Sequence, residues 1–341
     1  MKKLLNTLYV TKPDLYLSKQ GDEIAIRQDD KIIKSYPHHI LDNIICFSYL
    51  GASPAVMKLC MGNQIGLSFH TPQGQFCGRV IGKTHGNVLL RRKHYHTADS
   101  DESIAFAKNI ILAKVSNTYK YLIRFQKDHK DTIDNEQFNM VKKEFKKILK
   151  KLSTVTNKDT LRGFEGEAAA LYFGLFNQFI LTNKETFHFD NRTRRPPRDP
   201  INALLSFGYS MLAHECQSAL ESVGLDSYVG FLHTDRSGRA SLALDLMEEF
   251  RCYLVDRFVI SLINNRQLKK KHFFLQENGS VLLTDDGRAF FLDKWQQRKH
   301  DEIKHPFINE YVPLMLLPYV QAQLMAKTLY GELDEYPPFI L

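Results

Sequence analysis

The chain reads as an α+β protein: a small N-terminal β-sandwich-like domain over residues 1–97, then a larger all-α domain over residues 98–341 with one late β-hairpin. Three observations predict this. Up to about residue 97 the sequence breaks into short β-favouring runs separated by turn residues. From about residue 103 the apolar residues recur three and four apart, the period of one helical face. Late in the chain, Asn278-Gly279 separates two short apolar runs, a strong local hairpin signal.

In order, the expected strands are Thr7–Val10, Tyr16–Leu17, Glu23–Arg27 and Lys31–Tyr36, split by turns at Gly21-Asp22 and Asp29-Asp30. Asn43–Tyr49 is rich in β-branched and aromatic residues, Pro54–Met61 reads as a short helix laid on the sheet, and Gly66–Phe69, Gly74–Val80 and Asn87–Arg91 return to strand. His94–Glu102 is polar and without periodicity, so it is expected to be the linker. Helices are predicted within Ile104–Val115, Asn139–Leu152, Ala168–Phe179, Ile201–Val223, Ser241–Ile263 and Val312–Tyr330, and the hairpin pairs Phe273–Gln276 with Val281–Thr284. There is no internal repeat.

Composition excludes several classes. No apolar run is long enough to span a membrane, and the start of the chain is too mixed for a signal peptide, so a cytoplasmic protein is expected. The five cysteines are scattered, odd in number and free of CxxC pairs, which argues against a disulfide framework or zinc finger and for buried reduced thiols. Net charge is +8, 46 basic against 38 acidic residues, which favours a polyanionic partner if the charge clusters. It clusters in three places. Lys142–Lys151 carries six lysines against one glutamate along an apolar stripe, a pattern that a solvated face of an ordinary amphipathic helix accounts for. Arg91 and Arg92 stand at an expected strand end. Arg192, Arg194, Arg195 and Arg198 lie on a proline-stiffened loop, where arginines can pair with phosphates at little entropic cost, unless acidic residues of the same chain hold them instead.

Three places offer ligands for a hard cation. Glu165 lies between Gly163 and Gly166, just before an alanine-rich helix, where a carboxylate can approach another group closely. His233 ends the apolar run Gly230-Phe231-Leu232 and faces a polar loop. Asp245, Glu248 and Glu249 lie on one predicted helix, with Asp245 related to the two glutamates by i,i+3 and i,i+4, and the leucines beside Asp245 turn at least one carboxylate inward. Carboxylates with one histidine suit Mg2+ or Mn2+, which stabilise charge at a phosphodiester transition state, but spacing alone does not bring the three places together.

Beyond these patterns, LRGFEGEAAALYF (161–173), RTRRPPRDPINALLSFGY (192–209), VGFLHTDRSGRASLALDLMEEFR (229–251) and LPYVQAQLMAKTLYGELDEYPPF (317–339) resemble, in order and over essentially the whole chain, the CRISPR-associated spacer-acquisition integrase family, the first member of the adaptation pair of Cas proteins. MKKLLNTLYVT and GASPAVMKLCMGNQIGLSF are similar to the same family, and both ends resemble the variant found with type I-C systems. The resemblance implies a metal-dependent DNA endonuclease and integrase that inserts spacer DNA by 3′-OH attack on the repeat. It implies a homodimer joined through the β-domains, a small ferredoxin-like Cas partner, and DNA as substrate. It implies a divalent metal, Mg2+ or Mn2+, on Glu165, His233 and Glu248, with Asp245 as accessory carboxylate. Many members carry Asp where this chain has Glu248, and Glu249 stands beside it, so the third ligand is open between the two. The competing expectation is a basic DNA-binding scaffold whose acidic residues are structural.

Overall fold

The computed structural model describes residues 6–63, 65–71, 76–82 and 88–341. Its strand-rich part begins with β1 (Asn6–Val10), β2 (Tyr16–Gln20), β3 (Glu23–Gln28), β4 (Lys31–Pro37) and β5 (Leu41–Cys46), followed by helix α1 (Pro54–Gly62), β6 (Gly66–His70) and β7 (Phe76–Val80). Asp29 and Asp30 both adopt positive φ, 46° and 61°, which matches the twist of the two strands that this turn joins. The strands form two sheets, ordered β1-β5-β6-β7 and β2-β3-β4. β1, β5 and β6 run parallel, and β7 closes its sheet antiparallel. A parallel β5–β6 pair needs a crossover, and α1 is that crossover, capped by Ser53. Leu17 and Ile24 from one sheet, Val10 and Ile44 from the other, and Val56 and Cys60 from α1 share one buried cluster. Gly74 of the expected seventh strand lies outside the described residues.

Helix α2 (Val88–Asp99) corrects two expectations. Val88–Arg91 is helical rather than strand, with Arg91 and Arg92 on the helix rather than at a strand end (Asn87 lies outside the described residues), and the expected linker from His94 is helix through Asp99. The period was hidden because two of its three buried positions, Leu90, His94 and Thr97, are polar; His94 Nε2 is bonded to the Val229 carbonyl at 2.9 Å. The chain divides into two compact units, Met1–His85 with Leu283–Gln297, and Gly86–Leu282 with Arg298–Leu341, so α2 belongs to the helical one.

That unit contains α3 (Ser103–His129), α4 (Asn135–Leu152), α5 (Lys158–Gly174), α6 (Pro200–Ser222), α7 (Ser241–Glu248) and α8 (Arg257–Asn264). Asp199 caps α6 through the Asn202 amide at 2.8 Å, with Pro200 in the first turn, where its missing N–H costs nothing. The helix expected over Ser241–Ile263 is interrupted by a π-helical stretch, Arg251–Asp256. The late hairpin forms as read, β8 (Phe273–Leu275) with β9 (Val281–Leu283), turning at Gly279 with φ of 76°. Helix α9 (Asp285–Lys299) and a second small antiparallel pair, β10 (Glu302–Lys304) with β11 (Tyr311–Pro313), were not read from the sequence. β11 takes the start of the expected Val312–Tyr330 helix, so α10 spans Leu317–Tyr330.

Cys46, Cys60, Cys216 and Cys252 are free and buried, whereas Cys77 is free but exposed. Among the described residues no helix is long and apolar enough to cross a membrane.

Candidate active site

Glu165 is inside a helix, not before one. Asn157 caps α5 by accepting from the Thr160 amide at 2.8 Å, so the helix starts at Lys158 and takes in Gly163 and Gly166. A Cβ at either glycine would meet nothing within 4 Å, so neither is there to admit a close neighbour.

The glycine that matters is Gly230. A Cβ there would lie 2.7 Å from the His233 carbonyl oxygen and 2.9 Å from Asp245 Oδ2. Without it, the segment wraps the Asp245 carboxylate tightly. Phe231 N and Leu232 N donate to Oδ2 at 2.7 and 2.9 Å, and His233 N donates to Oδ1 at 3.0 Å. His233 Nδ1 lies 2.5 Å from the same Oδ1. Asp245 is fully buried, and these four donors account for the cost of burying a carboxylate. An ionised carboxylate only accepts, so Nδ1 carries the ring proton and Nε2 is left as the open nitrogen. Arg162 of α5 donates to the Leu232 carbonyl at 2.8 Å, tying the Glu165 helix to the His233 segment.

Glu165 and Glu248 meet at Lys114 of α3. Its ammonium bonds Glu165 Oε1 and lies 2.7 Å from Glu248 Oε2. Arg251, one turn on, donates to Glu248 Oε1 at 2.9 Å. Burial pushes the Glu248 carboxyl upward, but Arg251 first and Lys114 next outweigh it and hold the pKa at about 2. Arg251 lies 4.6 Å from the Tyr209 ring centre, and Arg192 lies 5.4 Å from it. The Tyr209 hydroxyl donates to Asp256 at 2.5 Å, and burial raises that carboxyl to about 6.

Thus Asp245 holds His233, and one ammonium spans Glu165 and Glu248. Among the described residues, however, no three His, Cys, Asp or Glu side chains are drawn together as ligands. The donor set still fits a hard cation: two carboxylates already gathered round a positive charge, and a histidine with Nε2 open. Such an ion would take the place of the Lys114 ammonium between the carboxylates.

Residues 8–297 match the family model for CRISPR associated protein Cas1. The chain belongs to the Cas1 family. It is 47% identical to the CRISPR-associated endonuclease Cas1 2 of Rhodospirillum rubrum, over 99% of each chain. A casposase bound to integration product has the same fold, with a TM-score of 0.83 at 24% identity over 98% of this chain and 93% of that one. So does a chain of a Cas6-RT-Cas1–Cas2 complex, with a TM-score of 0.83 at 24% identity, covering 99% of this chain and 36% of that one.

In this Cas1-family chain the two adjacent glutamates part company. Glu249 is 1% exposed, and its oxygens accept from Tyr336 OH at 2.6 Å, Phe339 N at 2.8 Å and Gln321 Nε2 at 3.0 Å. Burial outweighs these bonds and raises its pKa to about 7. It is neither solvated nor turned toward Lys114; it anchors the segment after α10.

The arginine loop is divided as well. Arg192 is committed internally, to Asn202 Oδ1 at 2.6 Å and Ser206 Oγ at 3.1 Å, and Arg198 donates to the Asn278 carbonyl at 2.8 Å. Arg194 and Arg195 are exposed and, among the described residues, make no side-chain hydrogen bond or ion pair. Arg194 lines a cavity with Lys114, Glu165 and Arg251. Lys114, Tyr209, Arg251 and Asp256 were not singled out from the sequence. The signal for Lys114 was a lone cation inside the apolar run Ile110–Val115, and for Arg251 its i,i+3 spacing from Glu248.

Proposed function

We propose that the chain is a metal-dependent DNA endonuclease and integrase that inserts spacer DNA into a CRISPR array. The observation that carries this reading is the pairing of Glu165 and Glu248 across one cation, beside a histidine whose Nδ1 is held by Asp245. The relatives named as Cas1 endonucleases and the casposase fold support the reaction class. Glu165, His233 Nε2 and Glu248 would hold Mg2+ or Mn2+, and Asp245 would orient His233. Bound there, the ion supplies charge stabilisation at the scissile phosphate and at the leaving oxygen.

The reaction is a transesterification: a spacer 3′-oxygen forms a bond to a repeat phosphorus, the P–O3′ bond of the repeat strand breaks, and the attacking hydroxyl's proton passes to solvent as the leaving 3′-oxygen gains one. With water as nucleophile the same site hydrolyses DNA. Lys114 and Arg251 keep the site's charge near balance while carboxylates and phosphate share it. The exposed Arg194 and Arg195 are the members of their loop free to meet DNA phosphates, with Arg91 and Arg92 on α2 as further candidates. The working assembly is a cytoplasmic homodimer joined through the strand-rich units and bridged by a small ferredoxin-like Cas protein; the likeness to a chain of a Cas1–Cas2 complex supports such a partner.

A second reading has one observation in its favour: Lys114 and Arg251 already satisfy both carboxylates, as they would in a non-catalytic DNA-binding scaffold. One experiment separates the two. On a branched DNA in Mn2+, wild type nicks and Glu165→Ala does not, while the variant keeps its fold and DNA affinity. Absence of nicking by wild type, or undiminished nicking by the variant, refutes the catalytic assignment.

A further inference from the structure

Helix α4 has two faces. Phe138, Val141, Phe145, Ile148 and Leu152 are buried. Lys143, Lys146, Lys147, Lys150 and Lys151 are exposed on the other side, with Lys142 half-buried beside them. Of these six, only Lys147 is paired with a carboxylate among the described residues, to Glu144 at 2.7 Å. An ordinary solvated helix face mixes its charges, because i,i+4 pairs of opposite sign stabilise it and like pairs oppose it. Here Lys142, Lys146 and Lys150 repeat at i,i+4, as do Lys143, Lys147 and Lys151, so the helix carries two like-charged rows at its own expense.

The rows lead somewhere. Lys151, at the last turn of α4, lies 5.6 Å from the ring centre of Phe164, the residue beside Glu165 on α5. The lysine face therefore begins next to the candidate active site and extends away from it for about 14 Å, nine residues at 1.5 Å each.

We infer that this face of α4 is a docking surface for the sugar-phosphate backbone of a double-stranded DNA arm, holding the duplex beside the active site; the inference rests on the DNA-processing reading above. Two features favour a duplex over a single strand. The face has no exposed aromatic residue, since Phe138 and Phe145 are both turned into the core, whereas single-strand grooves stack bases on aromatic rings. It is built from lysines, flexible point charges that suit phosphates in any register and read no base edge.

The test is the triple variant Lys143→Gln, Lys146→Gln and Lys150→Gln in the full chain, with the triple Lys→Arg variant beside it. All three positions are exposed and glutamine is a good helix former, so the melting curve stays at wild type. Binding of a short blunt duplex and of a single strand of equal length is measured over a salt series. The log–log salt slope for the duplex falls by about 2.7 in the glutamine variant, three contacts at about 0.9 each, and affinity at moderate salt drops by more than tenfold. The arginine variant retains both, and single-strand binding changes less than twofold. An unchanged duplex slope, or an equal loss for the single strand, overturns the inference. These binding results are independent of nicking, so failure of the catalytic reading is seen separately, in the Glu165→Ala comparison.

Discussion

Replacing Asp245 by Asn changes two atoms and removes the arrangement that holds His233. Each carboxylate oxygen accepts from two donors: Oδ2 from Phe231 N and Leu232 N, Oδ1 from His233 N and His233 Nδ1. An amide has only one acceptor oxygen, so whichever way it is turned its NH2 faces two buried donors. A hydrogen bond to a charged group contributes about 1.5–3 kcal/mol, so the loss of two costs about 3–6 kcal/mol. For a unit of this size that lowers Tm on the order of 10 °C. The His233 ring, no longer fixed through Nδ1, should also bind Mn2+ about 10–100-fold more weakly. Thermal unfolding with and without Mn2+ reads both effects. A variant that melts with wild type and keeps its full Mn2+ stabilisation would show that Asp245 neither holds the segment nor orients the histidine.

Glu248→Gln should lose nicking by orders of magnitude, because glutamine keeps the shape but not the charge opposite Lys114 and Arg251, while Glu249→Gln stays within a few-fold on the same branched substrate in Mn2+; the reverse ranking would exchange the roles of the two glutamates. Asp256 titrates at about 6 in the fold, above its unfolded value near 4. The folded protein thus holds that proton more tightly than the unfolded chain, and stability is greatest below about pH 4 and declines as pH rises to about 6. Asp256→Asn keeps the acceptor for Tyr209 and removes this decline, so its Tm rises relative to wild type across that interval; parallel Tm-against-pH curves would refute the assignment.

The division into strand-rich and helical parts was readable because its signals are local: Asp29-Asp30 and Asn278-Gly279 are turn chemistry, and α4 and α6 carry unbroken apolar periods. Helix α2 was not, because two of its buried positions are His94 and Thr97, which no hydropathy pattern counts as core. At the site, motif spacing pointed to Glu165, His233, Asp245 and Glu248, and the structure brings them toward one another in two pairs. What spacing does not contain is the third dimension. Lys114 lies fifty-one residues before Glu165 and over a hundred before Glu248, and only the packing of α3 against α5 and α7 joins the three. Arg192 and Arg198 resembled surface cations because their internal partners, Asn202, Ser206 and the Asn278 carbonyl, are polar groups without charge.

The wider winding of Arg251–Asp256 has a consequence for how this gene tolerates change. A π-helical turn arises when one residue more than an α-helix needs is accommodated without breaking the rod. Deleting a single codon there would restore regular α-helical winding and leave the apolar composition almost untouched, so the product should look unremarkable by hydropathy. Yet everything after the deletion would be rotated by about 100° relative to what precedes it. The acids of α7 would keep their bearing, while Asp256 and the core face of α8 would swing away from theirs. Length polymorphism should therefore be far rarer across these six residues than amino-acid replacement, and a frame-preserving deletion scan through α7, the π-turn and α8 would find its sharpest loss of function there.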